Sequence, residues 1–207
     1  MKHGNTVGSR GSLSPKQHAM LVGKILGDGC LEKNGKHVRL RIERGEKQEK
    51  YVFWFYKEFN MYVQKQPYIL WHAGRNGKQT KRWRFSTLSL NIFDQHYMDF
   101  YHNGKKRIPE HIQVLLQSPL VLAVWYMDDG YLRTDKSGAY ICSSSFTQKE
   151  HEVLQQTLFE NFSLHTAVHF AGGFARLHIP SRDLRMFANI IRPHMVECMK
   201  YKLPLTP

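Results

Sequence analysis

Two short acidic stretches carry the residues best suited to chemistry, Leu26-Gly27-Asp28-Gly29 and Met127-Asp128-Asp129-Gly130. Their carboxylates are hard oxygen donors, the kind that holds a divalent cation such as Mg²⁺ against phosphate. No rival centre competes with them. The twelve His form no HExxH pattern, and Cys30, Cys142 and Cys198 are widely spaced with no CxxC pair. A disulfide framework or structural zinc site is therefore not expected. Tyr126-Met127-Asp128-Asp129 allows two readings: an acidic turn at the tip of a hairpin, or the acidic end of a buried helix. These place the carboxylates differently, so the surrounding elements must decide.

A polymerase palm would need the hairpin, a further Asp on another strand and a large surrounding domain. The flanking sequence favours the helix. Ser14-Pro15 and Ser118-Pro119 each open an apolar run as an N-cap followed by a first-turn proline. Gln17 adds a capping box to the first. Each run ends in Asp-Gly, with the glycine expected to close the helix in the left-handed conformation. Asp28 and Asp129 thus occupy matching places in an internal repeat. The segments after the two runs match too. Val38, Leu40 and Ile42 alternate with His37, Arg39, Arg41 and Glu43, which is a half-buried strand with a basic outer face. Trp83 and Phe85 alternate with Arg82 and Arg84 in the same way. A helix is predicted over residues 47–59, between those strands. In the second half a strand is predicted over residues 138–145, then a helix opened by the Thr147/Glu150 capping box. Two further strands, joined at Gly172-Gly173, and a helix from Ser181 to Ile191 complete the unit. Each half reads helix–strand–strand–helix–strand–strand–helix, an α+β fold duplicated about a pseudo-twofold axis. The expected divisions are a loose tail (1–13), a first half (14–104), a linker (105–117) and a second half (118–207).

Bulk properties narrow the partner. Hydrophobic residues make up 42% of the 207, a globular composition. Thirty Lys and Arg against 17 Asp and Glu give a formal charge of +13, which points to a polyanion, nucleic acid above all. No apolar run reaches the roughly 20 residues that span a bilayer, and no membrane partner is expected.

The nine-residue stretches Leu21–Gly29 (LVGKILGDG) and Leu122–Gly130 (LAVWYMDDG), with KKRIP and YKLP downstream, resemble the LAGLIDADG homing endonucleases, in their monomeric, two-motif branch. The resemblance runs from about Ser14 to Pro204. It implies that the two motif helices pack side by side, with two antiparallel sheets forming a DNA-binding saddle. Gly23, Gly27 and Ala123 suit close approach, whereas Val124 and Trp125 are larger than the motif and imply looser packing on that side. Two helix-end carboxylates brought together repel each other, and a divalent cation resolves the conflict. Asp28 and Asp129 are the expected metal ligands and catalytic acids, with Gly27 and Asp128 counted beside them in the metal-binding set. Asp128, one position before the ligand, reads as a helix-end acid or as one that supports the ligands from behind. The resemblance also implies a basic residue near each site: Lys106 from KKRIP, with Lys105 one register away, and Lys202 from YKLP. Glu43, and Ser143 or Ser144 in the corresponding strand of the second half, are candidates to support the ligands. For DNA binding, Arg39, Arg41, Arg82, Arg84, Arg176 and His178 share the polar strand faces, and Lys33, Arg75, Lys78 and Arg133 are placed in loops. The implied activity is a metal-dependent staggered double-strand break at a long asymmetric target. Mg²⁺ is the expected cofactor, and Mn²⁺ or Ca²⁺ can substitute in binding. Double-stranded DNA is the expected partner of a monomer. The alternatives are an intron RNA maturase or a catalytically silent DNA-binding protein of the same fold.

Overall fold

The computed structural model describes residues 11–73, 77 and 79–204; Arg75 and Lys78 lie outside the described residues. The first half runs α1 (Pro15–Leu26), β1 (Cys30–Asn34), β2 (His37–Gly45), α2 (Glu49–Phe59), β3 (Tyr68–Ala73), β4 (Gln79–Ser86) and α3 (Asp94–Phe100). A two-stranded hairpin, β5 (Tyr101–His102) with β6 (Lys105–Lys106), and the short α4 (Ile112–Leu115) lead into the second half. There the order repeats as α5 (Pro119–Asp129), β7 (Gly130–Leu132), β8 (Gly138–Cys142), α6 (Gln148–Phe162), β9 (Ala167–Ala171), β10 (Phe174–Pro180) and α7 (Ser181–Ile191). The two four-stranded antiparallel sheets have equivalent orders, β1-β2-β4-β3 and β7-β8-β10-β9.

Local chemistry accounts for the helix starts. Ser14 and Gln17 form the capping box of α1, and Thr147 with Glu150 that of α6. Ser118 caps α5 by accepting from the Leu120 N–H. α1 and α5 form the central layer and pack directly on each other. Met20, Leu21, Val22, Leu122, Ala123 and Val124 are completely buried between them and the sheets. Burial alternates along β2 as the pattern demands, with Val38, Leu40 and Ile42 inward. The outer faces of the sheets are left to Arg39, Arg41 and Arg84 in the first half and Tyr140, Arg176 and His178 in the second.

Three expectations change. Gly29 and Gly130 are not left-handed, since Gly130 has φ −83° and Gly29 is not among the positive-φ glycines. They are glycines because of crowding: a Cβ on Gly29 would sit 2.6 Å from the Lys24 carbonyl oxygen, and one on Gly130 would run into the Tyr126 ring. The seam is not loose on the second helix's side. A Cβ on Gly23 would lie 2.5 Å from the Val121 oxygen and 2.8 Å from Val124 Cβ, so Val124 fills the room that Gly23 leaves. Trp125 is fully buried. Finally, β8 ends at Cys142, so Ser143 and Ser144 come after the strand instead of lying in it.

Candidate active site at the helix seam

α5 stops at its acid, Asp129, whereas α1 ends earlier than its pattern suggested, at Leu26, so that Asp28 stands in a short turn after the Gly27 cap. In both halves a crowded glycine follows the acid and the chain enters the first strand of a sheet. The side-by-side packing of α1 and α5 then brings both ends to one place. Asp28 and Asp129 line a single pocket of about 520 Å³, together with Gly27, Lys106, Cys142 and Ser144. Asp28 is exposed and Asp129 only partly so. The Asp129 carboxyl is pushed up to about 6, first by burial and next by the neighbouring Asp128 charge, against the pull of Arg44, Lys106 and Lys24. An anionic group held in such discomfort favours an incoming cation, and two carboxylates on one pocket fit a hard divalent ion.

Both expected lysines reach the seam. Lys106, delivered by the β5–β6 hairpin whose turn uses Asn103 and Gly104 at positive φ, donates from Nζ to the Gly27 carbonyl at 2.6 Å. Lys202, in a short 3₁₀ helix (Glu197–Lys202), donates to the carbonyls of Met127 at 2.7 Å and Asp128 at 3.2 Å. Each ammonium therefore caps the C-terminal carbonyls of one motif helix, where the helix dipole is negative. Burial lowers both: Lys106 falls below its ordinary value, and Lys202 comes down to about 8 with Arg44 adding to the effect. The Gly27 carbonyl, expected beside the metal ligands, is thus engaged by Lys106.

Asp128 is neither solvated nor open to the pocket. Its side chain is fully buried, and both oxygens are committed. Oδ1 accepts from Lys24 Nζ at 2.7 Å, Arg44 Nη2 at 2.6 Å and Tyr51 Oη at 2.9 Å, while Oδ2 accepts from the Asp28 N–H at 3.1 Å. Arg44 also pairs with the Asp28 carboxylate. Lys24 is buried in the apolar second half of α1 and lies over the rings of Tyr51 and Phe55 at 5.0 and 5.1 Å. Burial draws it down to about 8, and the Asp128 charge opposes that fall. Lys24, Arg44 and Tyr51 escape a reading of the sequence as motif plus basic strand. The signal for Arg44 was present: the alternation that turns Ile42 inward turns Arg44 inward as well.

The basic faces adjoin this site. A groove of about 720 Å³ runs from Asp28 past Arg41, Glu43 and Arg44 to Arg82 and Arg84. Glu43 accepts from Arg84 Nε at 2.6 Å and from Arg82 at 3.2 Å. Burial alone would raise its carboxyl, but these partners and His72 hold it below the ordinary value. Glu43 therefore orders the arginines, and Glu32 does the same for Arg39 and Arg41 at 3.4 and 3.3 Å. The second sheet has a different surface. Arg176 lies 4.5 Å over the Tyr140 ring, His178 stacks on His169 at 4.4 Å, and Arg133, in the loop after β7, bonds Tyr140 Oη at 2.9 Å. Lys33 is not in a loop. It sits in β1 opposite Val38, hence on the inward face, with its ammonium over Tyr97 and away from the arginine face. Lys105 is exposed. Ser143 is buried against His151 Nε2 at 2.8 Å, while exposed Ser144 lines the pocket with Asp129.

A family model described as the LAGLIDADG DNA endonuclease family matches residues 18–187. The chain is 30% identical over 199 residues to a probable intron-encoded endonuclease 1 of Wickerhamomyces canadensis, covering 93% of this chain and 85% of that protein. It is 27% identical over 210 residues to the cytochrome b mRNA maturase bI2 of Debaryomyces hansenii, covering 98% and 79%. Among solved structures, the homing endonuclease I-WcaI bound to its DNA recognition sequence matches with a TM-score of 0.89 at 28% identity, over 95% of this chain and 89% of that one.

Proposed function

The chain belongs to the LAGLIDADG DNA endonuclease family, and from that premise we propose that it is a site-specific homing endonuclease making a metal-dependent, staggered double-strand break. The observation that carries this reading is that Asp28 and Asp129, from opposite halves, open on one pocket, with a lysine anchored at the end of each helix. A bound divalent cation supplies Lewis-acid polarisation of the phosphate and a lowered pKa for water. Asp28 and Asp129 hold it, with Mg²⁺ the natural occupant and Mn²⁺ or Ca²⁺ able to replace it for binding. Lys106 and Lys202 steady charge on a phosphate oxygen and order water at their respective helix ends. Asp128 is left out of the metal shell, because four protein donors surround its buried oxygens. The Gly27 carbonyl, which among the described residues accepts only from Lys106, keeps a second lone pair for the cation. Four basic groups at the seam (Lys24, Arg44, Lys106, Lys202) face three acids (Asp28, Asp128, Asp129), a surplus that suits incoming phosphate.

The two sheets grip the DNA. Residues 14–104 and 118–207 act as the two halves, joined through 105–117, and one chain carries both sites, so a monomer suffices. Arg39, Arg41, Arg82 and Arg84 face one half of the target; Arg133, Arg176 and His178 face the other. Faces of such different chemistry, charged on one side and Tyr/His-rich on the other, fit a long asymmetric target. An intron-encoded origin agrees with the name of the Wickerhamomyces relative. The test is cleavage of a randomised duplex library by purified protein with Mg²⁺: one recovered sequence family, cut on both strands, is expected. No cleavage, or cleavage unchanged in Asp28→Asn, overturns the reading.

The similarity to a cytochrome b maturase favours one second reading, assistance in folding intron RNA. An intron that splices with the Asp129→Ala protein but not without protein would support it.

A further inference from the structure

The two candidate sites are unequal, and the inequality is built from groups that cross the seam. By their place before the motif acids, Gly27 at the cap of α1 corresponds to Asp128 on α5, and Gly23 to Val124. The sheet registers extend the correspondence: Arg41 opposite Cys30 matches Tyr140 opposite Tyr131, so Arg44 corresponds to Ser143. We propose that Asp128 is a positioning residue for the first half's site, a carboxylate lent by the second half that fixes Asp28 and has no counterpart at Asp129. The proposal rests on the reading of Asp28 and Asp129 as strand-cleaving acids.

All four donors to Asp128, from Lys24, Asp28, Arg44 and Tyr51, belong to the first half. Its Oδ2 holds the backbone N–H of Asp28 itself, which fixes the direction in which that acid leaves the helix. Its Oδ1 holds one nitrogen of Arg44, whose other nitrogen pairs with the Asp28 carboxylate. Asp28 is therefore held at both its main chain and its side chain by one buried group. The fit is mutual, because a Cβ on Gly27 would come within 2.6 Å of both Asp128 Cβ and Oδ2. The glycine that leaves room for Asp128 is the residue that would have to carry the equivalent carboxylate toward Asp129. In the second half, Ser143 replaces Arg44 and donates to or accepts from buried His151, remote from any charge network of this kind. Filling the seam with apolar atoms would need no ion pair, and a buried charge must be matched by donors to be tolerated at all. Four donors aimed from one half at one carboxylate indicate orientation as its role.

The test uses Asp128→Asn and the paired Lys24→Met/Asp128→Asn, which removes the Lys24–Asp128 ion pair at nearly constant volume and leaves Arg44 on Asp28. Val124→Ala perturbs the seam at the Gly23 contact without touching Asp28 and serves as the stability control. A duplex recovered from the library, with each strand labelled differently, is cut under single-turnover conditions. The expected result is that one strand slows about a hundredfold, as misplacement of a catalytic group does, while the other keeps its rate and nicked product accumulates. Equal slowing of both strands, or of neither, overturns the proposal; Val124→Ala should show no strand bias. Amide hydrogen exchange on the DNA-free protein decides the matter even if no duplex is cut. Asp28 to Cys30 should lose protection in both Asp128 variants while Asp129 to Tyr131 keep it, and equal loss at both ends overturns the proposal. Cleavage by no member of the library, with asymmetric exchange intact, would strike the proposed activity and leave the positioning role standing.

Discussion

Replacing Asp129 with asparagine should make the metal-free protein more stable, by an amount that grows with pH. The folded protein holds the Asp129 carboxyl up to about 6 against 3.8 for the free group, chiefly through burial and secondly through Asp128. Between those values the folded chain binds the proton more tightly than the unfolded chain, so stability falls as pH rises through that window. Below both values the acid is neutral in either state and nothing is lost. Above about pH 6 the full penalty is present, and a shift of about two units corresponds to about 3 kcal/mol. Partial exposure reduces this, and a gain of about 2 kcal/mol for Asp129→Asn at pH 7 is expected, shrinking toward zero near pH 4. For a chain of this size that is a rise in Tm of about 4–8 °C at neutral pH. Urea denaturation in EDTA at several pH values measures the gap directly. Adding Ca²⁺ should then stabilise the wild type and narrow the difference, because only the carboxylate is relieved by a cation. A gap that does not change with pH, or an asparagine variant less stable at pH 7, would refute the reasoning.

The same geometry sets other outcomes. Lys106→Met and Lys202→Met each remove an ammonium from one helix end, so each should slow cleavage of a different strand, by about a hundredfold; strand-labelled duplex reads this. Gly23→Ala forces a methyl against Val121 and Val124 and should cost about 1–3 kcal/mol by denaturant titration, while Gly45→Ala, with open space around it, should be near neutral. Arg39→Ala or Arg41→Ala should lower the slope of log affinity against log salt by about one unit each if that arginine meets a phosphate, which fluorescence anisotropy on the recovered duplex measures.

Most of the fold could be read from the chain because its signals are local. Ser14 with Gln17 and Thr147 with Glu150 fix helix starts through neighbours three residues away, and the alternation along β2 sets which face is wet. The helix from Ser181 to Ile191 lies where its pattern put it. Information that depends on long-range pairing was not legible. A supporting role for Asp128 could be suggested from its place beside the ligand, but its partners could not: Lys24, Arg44 and Tyr51 come from 77 to 104 positions away. Backbone conformation suggested one reason for the motif glycines, whereas the reason is steric: Lys24 and Tyr126 leave no room for a Cβ. Lys33 lies in a strand that begins directly at the motif, without the loop that its charge suggested.

The most direct test of the central claim is a crystal of the protein with its recovered duplex and Mn²⁺, read by anomalous scattering. The account predicts metal density within bonding distance of the Asp28 and Asp129 carboxylates and of a phosphate from each strand, with Asp128 still enclosed by Lys24 and Arg44. Metal bound elsewhere, or Asp128 turned out to hold it, would contradict the account.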